Sequence, residues 1–213
     1  MARSYYTSTA RNLTASRMVE LRQSNSSANQ LPYQQGYLLA ARWNMGGKSL
    51  DLAMRNLLKD NREPLSNARI VKALRSIGIG NAEEEIQRFV VEGKTIELRA
   101  NPWGGCAIES KTELRMFDMG FDWTVSDRTK IIHGAKQDSN AWRAGVRDGQ
   151  KWTSLDVVRG DSTYLAQIEI EDQQGRRHIK YYPASADVVV APQYKANTSR
   201  CDPWALTPLF AAR

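Results

Sequence analysis

Tyr33 is the residue best suited to do chemistry, and its neighbours decide how. A phenol is neutral at pH 7 and donates one directed hydrogen bond, which suits it to steadying developing negative charge on an oxygen. Tyr33, Gly36, Tyr37, Ala40 and Ala41 recur at i, i+3, i+4, i+7 and i+8, the spacing of one helical face. Two readings stay open for them. The tyrosines anchor a helix in a core, their hydroxyls finding buried partners, or they present a phenol to a reacting group. Gly36 costs helix stability relative to alanine, so the pattern predicts a close neighbour there. The other chemically able residues are few: His133 and His178, far apart in the chain, and Cys106 and Cys201. Neither histidine belongs to an H-E-x-x-H helix, so no metal ligand is assigned. The cysteines match no zinc spacing and allow either two buried thiols or one disulfide, the latter requiring an oxidising compartment.

The elements that must position Tyr33 follow from caps and breakers. Pro32 predicts a helix start, with the chain turning helical through Trp43 and stopping at Gly46-Gly47. Residues 1–13 read as an irregular polar segment leaning on absent structure. A short helix through Arg22 is capped by Thr14 or Ser16, and a Ser/Asn-rich loop runs from Gln23 to Gln30. Ser49 caps a helix with the stripe Leu50, Ala53, Met54, Leu57 and Leu58. Ser66 starts another, carrying Ile70, Val71, Leu74 and Ile77 and ended by Gly78 and Gly80. Asn81 caps Ala82 to about Val91.

Beyond Gly93 the periodicity changes. Thr95 to Leu98 alternates as a strand, 101–105 is a turn cluster, and the chain is β-rich after Phe117 apart from a helix near Asn140 to Ala144. Strands at Thr163–Ile170 and Arg177–Tyr182 flank a turn at 172–175. The expected fold class is α+β, divided into a helical lobe (1–77), a connector (78–117), a small β-rich domain (118–190) and a tail (191–213).

The 213 residues carry a net charge of +7 and no apolar run long enough for a membrane span. The charge is uneven: residues 1–75 hold 12 Lys+Arg against 4 Asp+Glu. The cations are scattered without a block or an aromatic–basic signature, which argues against nucleic acid as partner. A cationic face resting on an acidic segment outside this sequence explains the asymmetry as well. The opening residues are not a secretory signal.

Several motifs carry a resemblance. Pro32-Tyr33-Gln34-Gln35-Gly36 before an apolar helix resembles a segment of gluzincin zinc aminopeptidases in which the tyrosine hydrogen-bonds the tetrahedral oxyanion. Met119-Gly120-Phe121, with Ser139-Asn140-Ala141 and Ala144-Gly145-Val146 through Gly149, resembles a PDZ domain of the protease-associated kind. In such a domain a peptide adds a strand to the sheet and its carboxylate sits on the Gly-Phe loop, making Gly120 and Phe121 substrate-binding. Gln150 departs from that pattern, which has Asp. So do residues 159–162, too few for the helix that walls the groove, which favours a PDZ-like module that packs on a neighbour.

Taken in order with Tyr5-Tyr6-Thr7-Ser8, Ala10-Arg11-Asn12-Leu13, Gly46 to Leu50 and Gly104-Gly105-Cys106, these motifs resemble the C-terminal half of the glycyl aminopeptidase family. The resemblance implies the helical C-terminal lobe of a thermolysin-like catalytic domain followed by a PDZ-like domain. It implies periplasmic or exported location and removal of N-terminal Gly or Ala from peptide substrates. Zn2+ would be the cofactor of the longer enzyme, bound by an N-terminal catalytic segment missing here, with Tyr33 catalytic. This chain by itself is expected to be inactive. The alternative is a stand-alone PDZ-like module that binds peptide or protein without catalysis.

Overall fold

In a computed structural model, residues 2–43, 50–59, 64–98, 106–173, 175–197 and 199 are described. The chain is mixed α and β and forms two compact units. One gathers residues 1–11, 17–34 and 112–191, the other 12–16, 35–111 and 192–213. Neither compact unit is a run of consecutive residues. Among the described residues no helix is long and apolar enough to cross a membrane.

The first unit is built on an antiparallel sheet of β2 (Lys151–Asp156), β3 (Ala166–Asp172) and β4 (Gly175–Tyr181). Ala166, Ile168 and Ile170 alternate along β3 and all point into the core, the period-2 burial of a half-covered sheet. Ile168 pairs with Ile179 and Ala166 with Tyr181 across the tight turn the sequence predicted. A bulge between Trp152 and Ser154 interrupts the β2–β3 register. Met119, Phe121, Ile132, Ala141 and Val146 complete this core beneath Trp152.

Two helices precede these strands in the chain. α8 (Asn140–Arg143) is the expected one, with Ser139 Oγ accepting the Trp142 N–H at 3.1 Å. α7 (Trp123–Thr129) stands where the resemblance implied a peptide-pairing strand. Asp122 Oδ1 accepts the Val125 N–H at 3.1 Å and caps it. The connection between β2 and β3 contains no helix.

Of the segment expected to be irregular, residues 8–13 are turn and coil, but Ala2–Thr7 are not. α1 (Ala2–Thr7) is helical, and Ser4, Tyr5, Tyr6 and Thr7 are buried. Thr7 Oγ1 donates to the Gly160 carbonyl, and Gly160, at φ +83°, brings its Cα so close to the Ser4 carbonyl that a Cβ would sit 2.8 Å from that oxygen. The N-terminal helix therefore leans on the β2–β3 connection of its own unit. Next comes α2 (Ala15–Leu21), as expected.

The second unit packs α4 (Leu50–Lys59) and α5 (Asn67–Ser76) around Ala53, Ala73, Leu74, Ile79 and Ala82. Leu50 and Leu57 join this cluster, whereas Met54 and Leu58 of the predicted stripe are exposed. Ser66 caps α5 as predicted, its side chain accepting the Arg69 N–H. Asn81 makes no such cap. Its Nδ2 donates to Glu85 Oε1 instead, and α6 (Ala82–Ile86) runs on into a π-helical turn over Gln87–Val91. Thr95 to Leu98, expected as a strand, has no ladder partner and is not one. The stops at Gly46-Gly47, the cap at Ser49 and the turn at 101–105 lie outside the described residues.

β1 (Ala107–Phe117) and β5 (Ala184–Ala196) pair as a two-stranded ribbon, whose residues the sequence reading divides among connector, β-rich domain and tail. Cys106 is disulfide-bonded, so the thiol alternative falls. The chain's other cysteine, Cys201, lies outside the described residues.

Candidate functional site

Tyr33 sits on α3 (Ser26–Trp43), an 18-residue helix. It starts six residues before Pro32, because Asn25 Oδ1 accepts the N–H groups of Ser27 at 2.9 Å and Ala28 at 3.1 Å. Pro32 is inside the helix and offers no N–H to the carbonyl one turn back.

Of the five residues spaced as one face, Tyr33 and Gly36 are exposed, Tyr37 and Ala40 half-buried and Ala41 buried. Tyr33 is 68% exposed, and a Cβ placed on Gly36 would meet nothing within 4 Å. Among the described residues the close neighbour expected at Gly36 is absent, and of the two readings left open for Tyr33 its exposure disfavours the core anchor. Tyr37, one turn further, is half-buried, and that burial raises its pKa. The buried side of α3 carries Leu31, Gln34, Gln35, Leu38, Leu39 and Ala41. Gln35 Nε2 donates to the Phe89 carbonyl at 3.3 Å, so a polar residue does core work there.

Glu85 fixes the end of this helix. It is 5% exposed and accepts from Arg42 Nε at 2.9 Å, Trp43 Nε1 at 2.7 Å and Asn81 Nδ2 at 2.9 Å. The Arg42 guanidinium also lies 5.2 Å from the Phe89 ring centroid and donates to the Glu97 carbonyl.

Gly120 and Phe121 occupy a turn in the first unit. Gly120 has φ +77°, and a Cβ there would sit 2.7 Å from Ser139 Oγ and 2.8 Å from the Ala141 Cβ. Its N–H donates to Asp118 Oδ1 at 2.8 Å and its carbonyl accepts the Lys136 N–H. The backbone donor proposed for a peptide carboxylate is thus already engaged, and the glycine is explained by close packing. Phe121 is a core residue that also borders a cleft of about 440 Å3 with Trp123 and Val157. Tyr33 and Gly120 do not line that cleft. Arg159, stacked on Trp123 at 4.8 Å, does; the sequence offered no signal for it beyond an arginine in a turn.

The histidines do not make a zinc site. His133 lies in the loop after α7, its N–H on Ser126 Oγ, while His178 is exposed on β4 with Nδ1 3.8 Å from Glu169. No group of three or more His, Cys, Asp or Glu residues is placed to hold a metal among the described residues. Among the described residues the donors do not fit a mononuclear zinc centre. No family model matches the chain, and no curated protein matches it.

Proposed function

We propose that this chain is the C-terminal portion of an exported zinc-dependent aminopeptidase that removes N-terminal Gly or Ala from peptides. The exposure of Tyr33 is the observation that carries this reading. A long capped helix turns a phenol and a glycine outward, with open space beside Gly36, while burying two glutamines behind them. A core anchor would be placed the other way round. On this reading Tyr33 donates its hydroxyl hydrogen to the oxyanion formed as water adds to the scissile carbonyl. Its donor strength is set by a position fixed in advance, so little reorganisation accompanies the charge. Metal-binding residues would belong to polypeptide outside this sequence. The β-rich stretch 118–190 is read as a PDZ-like module whose Gly120 turn is structural. The disulfide at Cys106 supports an oxidising, exported setting.

The test is Tyr33→Phe in the polypeptide that also carries an H-E-x-x-H segment. The expected result is a fall in kcat of roughly 10²–10³-fold with KM little changed, the signature of an interaction made only in the transition state. Unchanged kcat on glycyl and alanyl anilides would overturn the reading. So would zinc-dependent turnover by the present chain alone.

A further inference from the structure

The cleft beside Phe121 is lined by charged as well as apolar side chains. Met116, Phe117, Phe121, Trp123 and Val157 give it apolar walls, and its volume of about 440 Å3 is in the range of small-ligand sites. Four charged side chains border it. Two are committed to each other, Lys136 Nζ lying 2.8 Å from Asp118 Oδ2. The other two, Arg159 and Asp187, have no ion-pair partner among the described residues and do not bridge each other. The Arg159 guanidinium is half-buried with one face on Trp123, which leaves its N–H edge for a planar anion. Asp187 is exposed, and its carboxylate is a site for an ammonium group.

One unpaired cation and one unpaired anion on an apolar cleft complement a molecule with both charges and an apolar body. We propose that this cleft binds a zwitterion bearing an apolar side chain, either a free amino acid or a short peptide. Its carboxylate rests on Arg159, its ammonium on Asp187, and its side chain lies against the aromatic wall. The recognising groups are side chains and not the Gly120 turn, whose N–H is already donated to Asp118. The inference stands independently of the Tyr33 reading.

The test is calorimetric titration of the whole chain with phenylalanine, Gly-Phe, N-acetylphenylalanine and phenylalaninamide. Saturable one-to-one binding is expected for at least one of the first two, and whichever is tighter identifies the source. Blocking either charge should weaken binding about tenfold, roughly one lost charge-assisted contact. Arg159→Gln should remove the difference between the free acid and its amide, and Asp187→Asn that between the free amine and its acetyl form. Circular dichroism of both variants checks that the fold is kept. Three results would each overturn the proposal: no saturation by any of the four probes, affinity indifferent to Arg159→Gln, or the acetylated form binding as tightly as the free one.

Discussion

Removing the Glu85 carboxylate should cost the second unit much of its stability. The residue is 5% exposed and receives three donors, from Arg42, Trp43 and Asn81, at 2.7–2.9 Å. Truncating one member of a buried pair leaves the other charged and unpartnered, a loss of about 3–5 kcal/mol. Arg42 keeps partial compensation, because its guanidinium stacks on Phe89 and donates to the Glu97 carbonyl, which places Glu85→Ala nearer ~3 kcal/mol. Glu85→Gln retains an acceptor but loses the charge, and should cost about half as much, ~1.5 kcal/mol. Urea unfolding followed by tryptophan fluorescence reads this out, since Trp43 is itself one of the donors. A transition shifted to lower urea with unchanged slope reports lost stability alone. A loss under about 1 kcal/mol for Glu85→Ala would mean that water replaces the carboxylate freely, and the argument from burial would fail.

Three other outcomes are expected. Gly93→Ala should destabilise by about 2 kcal/mol or more in thermal unfolding, because its φ is +67° and a Cβ would meet the Asn12 and Leu13 carbonyl oxygens at 2.6 and 2.7 Å. Gly36→Ala should instead raise stability by up to ~1 kcal/mol, since the added methyl enters open space on a helix; equal effects from the two substitutions would refute the contrast. In alkali, Tyr181 and Tyr194 should ionise late, judged by tyrosinate absorbance. Burial, aided by Asp118, raises the first, and burial with Glu109 and Glu97 pushes the second to about 12. Both pKa values lie above the unfolded one of about 10, so the stability they contribute is present below pH 10 and is lost as pH rises through the folded values. Ionisation of all tyrosines in a single step near 10, before unfolding, would contradict this.

Legibility in the sequence followed locality. Ser66 and Ser139 are caps whose partner lies three residues on, and both helices were found where expected. The β3–β4 pairing was equally plain, with alternation on both sides of a tight turn. α7 was missed because Trp123, Thr124 and Val125 favour strands. Its only signal was Asp122, a cap over less than two turns. β1 was missed because nine of its eleven residues after Ala107 and Ile108 include five charged or polar side chains in a row, and its partner β5 begins far along the chain. The orientation of α3 was not legible, for a different reason. Periodicity counts apolar residues, and the side that faces inward here includes Gln34 and Gln35. The exposure of Tyr33 is therefore not visible in the pattern. Arg159 and Asp187 could be joined only by the fold.

The way the polypeptide threads back and forth has a kinetic consequence. Thr7 reaches its carbonyl acceptor across an interval of 153 residues, so the amino-terminal helix emerges long before its support is made. Ordering such distant pairs requires loop closure ahead of any reward, which slows the search. During synthesis Thr7 would stay without its acceptor until Gly160 has left the ribosome. Nor would a cut at any single bond release either half as a viable fragment, because each is assembled from interleaved stretches.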